Sequence, residues 1–104
     1  MATRLQLQEA LIAVLDRNPK DVYFQPPESV KLSYPCIIYN LTPGEVRRAD
    51  DLAYNYIRCY DVLIIDRDPE VEWDKKMLES FQYCTFSRAY TSDNLNHWTF
   101  RLYF

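Results

Sequence analysis

From residue 3 to 17 the apolar side chains Leu7, Ala10, Leu11, Val14 and Leu15 recur at steps of three and four, which lays them in one stripe along a helix. Thr3-Arg4-Leu5-Gln6 has capping-box spacing and Asn18-Pro19 supplies a stop. Leu5 and Ile12 widen the stripe, as in a helix lying across a sheet. The period then changes to two. Val22-Tyr23-Phe24 reads as a short strand stopped by Pro26-Pro27, 28–34 as a connecting loop, and 35–41 as a strand whose leading Pro35 suits a first position. Thr42-Pro43-Gly44-Glu45 carries Pro and Gly at the two central positions of a type II turn. Residues 45–51 are charged, end in an acidic pair, and read as the outer strand and tip of a hairpin arm that returns through Tyr54.

Residues 54–67 are the longest run of strand-favouring residues in the chain, rich in Tyr, Ile and Val and free of Gly and Pro. Alternation sets Tyr54, Tyr56, Arg58, Tyr60, Val62, Ile64 and Asp66 on one face, with Asn55, Ile57, Cys59, Asp61, Leu63, Ile65 and Arg67 on the other. Both faces are apolar from Val62 to Ile65. That predicts a strand whose end lies inside a sheet, covered on both sides, and whose beginning projects as half of the arm.

Asp68 is placed as an N-cap and Pro69 as the first helical residue, and Trp73, Met77, Leu78 and Phe81 then form the apolar face of a second helix. A strand at 83–90, a turn at 91–94 and a strand at 95–104 follow. In the last strand Asn96, Trp98, Phe100, Leu102 and Phe104 point inward, and Leu95, His97, Thr99, Arg101 and Tyr103 outward. Short connections favour antiparallel pairing. The expected architecture is α+β: a single domain over 1–104, a mainly antiparallel sheet with a long β-hairpin and two helices packed on it.

Charge changes the picture of partners. Fifteen acidic against 12 basic residues leave a net charge of -3, without the basic footprint of a dedicated nucleic-acid binder, and so favour protein partners. Tyrosine is enriched at interfaces as well as in sheets, and cross-strand pairs on a sheet surface explain most of the nine. Cys36, Cys59 and Cys84 all fall in strand-like runs and give neither a complete disulfide set nor a paired metal knuckle, which fits a reduced cytoplasm. Residues 3–9 are amphipathic rather than continuously apolar and no run is long enough to span a bilayer, so a soluble protein with no membrane partner is expected.

Little in the chain suggests catalysis. Gly44 is the only glycine, which excludes glycine-rich phosphate loops, and no cofactor is expected. Asp66, Asp68, Glu70 and Glu72 have the chemistry to hold Mg²⁺, and Asp74-Lys75-Lys76 has the D-x-K spacing of some metal nucleases; carboxylates that open a helix are equally well explained by its dipole. His97, the only histidine, excludes multi-histidine metal sites, and a pairing with Cys84 as a nucleophile lacks anything to activate the thiol. Trp73 and Trp98 each belong to an apolar set. No catalytic, metal or cofactor residues are assigned. The candidate partner-binding residues are those of the arm: Arg47, Arg48, Asp50, Asp51, Tyr54 and Tyr56.

One resemblance extends this reading. Tyr34-Pro35-Cys36-Ile37-Ile38-Tyr39, Ala49-Asp50-Asp51 with Tyr54, Ile65-Asp66-Arg67-Asp68-Pro69, residues 84–90, and above all Asp93-Asn94-Leu95-Asn96-His97 followed by an alternating aromatic strand resemble the tail-completion or tail-terminator proteins of long-tailed bacteriophages. The resemblance covers about the last two thirds of the chain; the opening helix is similar only in type. It implies a structural protein of the virion at the head-tail interface, made in the bacterial host cytoplasm, and not an enzyme. Its partners would be copies of itself in a ring, commonly a hexamer, the tail tube protein, and the head-tail connector or stopper. Genomic DNA would pass through the lumen without specific binding. Arg47-Arg48 and Asp50-Asp51 would make complementary contacts between subunits or to the tube. A connector or stopper of the same assembly, and a small metal-dependent phage nuclease, are the alternatives.

Overall fold

The computed structural model contains helix α1 (Arg4–Leu15), strands β1 (Val22–Phe24), β2 (Cys36–Arg48) and β3 (Tyr56–Asp66), helix α2 (Trp73–Ser80), and strands β4 (Cys84–Ser92) and β5 (Leu95–Tyr103). It describes residues 4–16, 21–27, 29, 31–48 and 56–104, and of 43–48 and 56–57 the backbone alone. The strands form one sheet in the order β1-β2-β3-β5-β4, which makes β3 the central strand. The class is α+β, as the pattern of the chain predicts.

Alternation decides which side chains meet the helices. Ile37 and Tyr39 of β2, Tyr60, Val62 and Ile64 of β3, and Trp98, Phe100 and Leu102 of β5 share one core with Leu7, Leu11, Val14 and Leu15 of α1 and with Trp73 and Met77 of α2. Both helices therefore cover the same face. The inward set of the last strand is the expected one. At its apolar end β3 is covered by helices on one side only, although Ile65 on the other side is just 5% exposed.

Several local expectations are corrected. The Pro43-Gly44 pair makes no turn: β2 runs through it, and the ladder shifts between Leu41↔Tyr60 and Val46↔Arg58. Five steps along β2 there meet two along β3, so the extra residues bulge out of the ladder at a place where Pro has no donor to lose and Gly bends freely. β1 pairs parallel with β2, through Val22↔Ile37, Tyr23↔Ile38 and Phe24↔Tyr39, because the connection over 25–35 is long enough to carry the chain back to the same end.

α2 starts at Trp73 instead of Pro69, and Asp68 is not its cap. The Asp68 carboxylate accepts from the Glu70 amide (2.9 Å), closing a local turn over Pro69. Leu78 is 46% exposed, since Trp73, Met77 and Phe81 recur at steps of four and Leu78 lies about 100° round the helix from Met77. Leu5 is also exposed, while Ile12 packs partly against the core, so the widened stripe of α1 holds only at its middle. The capping residue Thr3 and the stop at Asn18-Pro19 lie outside the described residues; α1 ends at Leu15 with Asp16 in the left-handed region (φ 52°).

The β4–β5 turn is tighter than 91–94. Asp93 (φ 53°) and Asn94 (φ 63°) alone connect Ser92 to Leu95, as a two-residue hairpin loop requires.

Candidate functional site

The face of the sheet without helices is the best candidate for function. Its rows follow from the register. Tyr23, Ile38, Leu63, Thr99 and Arg88 lie side by side across all five strands. Beside them run Cys36, Ile65, His97 and Tyr90, and then Asn40, Asp61, Arg101 and Thr85. The middle of this face is apolar and half-buried at Ile38 and Leu63; its far rim is charged, with Arg101 Nε 3.6 Å from Asp61 Oδ1.

At the β4 edge the face ends in a stack. The Tyr90 ring lies flat on His97 (centroids 4.7 Å, 9° between planes), and the Arg88 guanidinium sits 4.8 Å over Tyr90. His97 Nδ1 is 3.0 Å from the Leu95 carbonyl, which can only accept, so Nδ1 carries the proton. The reading of the chain places His97 outward but misses its partner. The signal was present: Tyr90 and His97 are equally distant from the Asp93-Asn94 loop, so a two-residue hairpin sets them opposite each other.

Burial holds two of the three thiols in their protonated form. Burial, then the nearby charges of Asp21 and Asp66, pushes the Cys36 thiol up to about 12. Burial alone pushes Cys84 up to about 11, and the ladder places it opposite Leu102 while His97 lies opposite Tyr90, so no Cys-His pair is assembled. The Tyr23 hydroxyl is raised by burial, then by Asp21 and Cys36, against a hydrogen bond with the Ser33 backbone.

Beyond Arg58, whose carbonyl still accepts from the Phe104 amide (2.9 Å), the β2–β3 pair continues alone, through Arg47↔Ile57 and Arg48↔Tyr56. This is the expected projecting arm, and the molecule measures 45 × 27 × 23 Å. The backbones of Arg47, Arg48 and Tyr56 belong to it; their side chains, and the whole of Asp50, Asp51 and Tyr54, lie outside the described residues.

A second candidate opens on the helix side. A cleft of about 290 Å³ is lined by Leu15, Asp16, Asp66, Asp68, Val71, Trp73 and Lys76. Its one buried carboxylate is spent on the fold: Asp66 accepts from Trp73 Nε1 (2.9 Å) and from the Asp68 amide (3.1 Å). Lys76 lies 4.7 Å over the Trp73 ring. Among the described residues no three His, Cys, Asp or Glu side chains are placed to hold a metal ion, and Asp74-Lys75-Lys76 falls inside α2. The cleft walls bind one another, whereas the bare face leaves side chains to offer.

No protein-family model matches the chain, and no curated protein matches it.

Proposed function

We propose that this protein is a structural subunit of a bacteriophage virion. It caps the tail tube as an oligomeric ring, in our reading a hexamer, ends tube growth and presents the surface on which the head connector docks. The observation that carries this reading is the combination of a bare, aromatic-rimmed sheet face with a two-stranded arm that reaches past the rest of the sheet. A ring subunit needs both a rigid slab to meet its neighbours and a limb to reach over them. The resemblance of residues 34–39, 65–69 and 93–104 to tail-completion proteins supports the same role. A net charge of -3 suits a ring whose lumen must let DNA slide without sticking.

Lysates of a phage carrying a null allele of this gene test the role directly by negative-stain electron microscopy. The expected result is full heads beside detached tails of irregular or excessive length. Free tails of normal length with emptied heads would move the protein to the connector side, and ordinary joined virions would overturn the assignment to the tail.

A further inference from the structure

The sheet has two edges, and they are not alike. β1 is three residues long, Gln8 Nε2 donates to its Val22 carbonyl (3.1 Å), and Pro26-Pro27 follows. That edge is short, partly occupied and ended by residues without donors. β4 runs nine residues, contains neither Pro nor Lys, and bears Arg88 as its one charge; from Ser87 to Ser92 every residue is exposed. Its outer edge has no partner among the described residues.

We infer that β4 pairs antiparallel with β4 of a second copy of this chain, about a two-fold axis at Tyr90. The other edge of the sheet cannot complete it, which leaves like to like. The register follows from the ladder. Alternate pairs in an antiparallel ladder exchange backbone bonds, and the two-residue Asp93-Asn94 loop closes on such a pair, Ser92 with Leu95. Tyr90 and Arg88 then also turn their backbone groups toward β5, so Ala89 and Thr91 turn theirs outward. The bulge between Phe86 and Arg88 breaks this phase, which confines straight pairing to 88–92.

With the axis at Tyr90, Ala89 of each copy exchanges backbone bonds with Thr91 of the other, and the two Tyr90 rings meet. A His97-Tyr90 stack from each copy then continues across the seam on the bare face. Each Arg88 faces Ser92 of its partner. An axis at Arg88 would set two guanidiniums opposite, and one at Ala89 would run Thr91 against the bulge. The pairing does not rest on the ring: closing a ring takes two different surfaces, whereas this seam offers one surface to itself.

The test is disulfide trapping in the full chain. Cα atoms opposite each other in a non-bonded pair lie about 4.5 Å apart, within disulfide reach. Under mild oxidation Tyr90→Cys should therefore give a covalent dimer, while Thr85→Cys, beyond the bulge, and the unsubstituted protein should not. Sedimentation should show a concentration-dependent dimer, and Ala89→Pro, which removes an outward donor, should weaken it by at least about tenfold with an unchanged circular dichroism spectrum. Should Ala89→Pro misfold, Tyr90→Lys, which sets two ammonium groups at the axis, serves in its place. A protein that stays monomeric at every concentration, or Thr85→Cys dimers as abundant as those of Tyr90→Cys, would overturn the seam. Tail lengths in a null-allele lysate bear only on the ring, and dimer loss bears only on the seam.

Discussion

The two faces of the sheet come from the same strands and have been finished differently. On the helix side Ile37, Tyr39, Val62, Ile64, Phe100 and Leu102 are sealed beneath α1 and α2, and even the polar groups there are matched: Tyr39 donates its hydroxyl to Gln8 Oε1 and receives Arg4 Nη1 (3.3 Å). On the bare side the apolar middle is half-buried by its own neighbours and grades into stacked rings and an exposed ion pair. The difference teaches that stability and recognition have been separated across a single layer. Side chains facing the helices answer to the fold, and those on the other side, apart from the buried Cys36, Cys59 and Ile65, are free to answer to a partner.

Substitutions on either side can break that division. The largest effect should come from Phe100→Ala, which empties a fully enclosed site against Phe86 and should cost about 3–5 kcal/mol in denaturant unfolding. A loss below 1 kcal/mol would mean that the helix face is not the core. Next comes Asp66→Ala: the residue is 6% exposed, and its removal orphans the buried Trp73 indole N–H, at a cost of about 1–3 kcal/mol. Asp66→Asn keeps an acceptor and should recover much of that loss.

On the bare face Leu63→Ala, at a half-buried position, should cost only about 1 kcal/mol. Equal losses for Leu63→Ala and Phe100→Ala would erase the contrast. Alkaline pH probes both sides, through Cys36 and Tyr23 on the bare face and Cys84 and Tyr39 on the helix side. Cys36 and Cys84 release their protons only near 12 and 11 in the fold, against 9.0 ordinarily, so the native state holds protons that the unfolded chain gives up. Stability should be full below pH 9 and decline as pH rises from there, with Tyr23 and Tyr39, also raised, adding to the decline above about pH 10. Thermal melts across that window should show it, and Cys36→Ala should flatten the slope; an unchanged slope would mean that the Cys36 thiol is not held neutral by burial. The smallest effect is reserved for Arg101→Ala on the exposed rim, within about 0.5 kcal/mol.

Much of this plan can be read along the chain, and the misreadings share a cause. The stripe of α1 and the alternation of β5 are legible because each is a long run in which every turn or every second residue repeats the same demand. Pro43-Gly44 and Asp68-Pro69 mislead because short signals fit several local geometries, and pairing on both sides chooses among them: a ladder carries β2 through Pro43-Gly44, and Asp68 closes a turn before the helix has begun. The parallel course of β1 has no local signature at all. The Arg88, Tyr90 and His97 cluster is visible only once a two-residue loop fixes the register of β4 on β5. The arm is predicted where its backbone runs, and it is the residues beyond it that hold the remaining test of Asp50, Asp51 and Tyr54.

The strand order has a consequence for synthesis. β5 sits between β3 and β4, although both precede it in the chain. While a ribosome is still short of Leu95–Tyr103, β4 has no neighbour to hydrogen-bond and Val62 and Ile64 lie beside an empty slot. The nascent protein must carry that gap until Leu95–Tyr103 has been made, when β5 enters and locks the centre of the sheet.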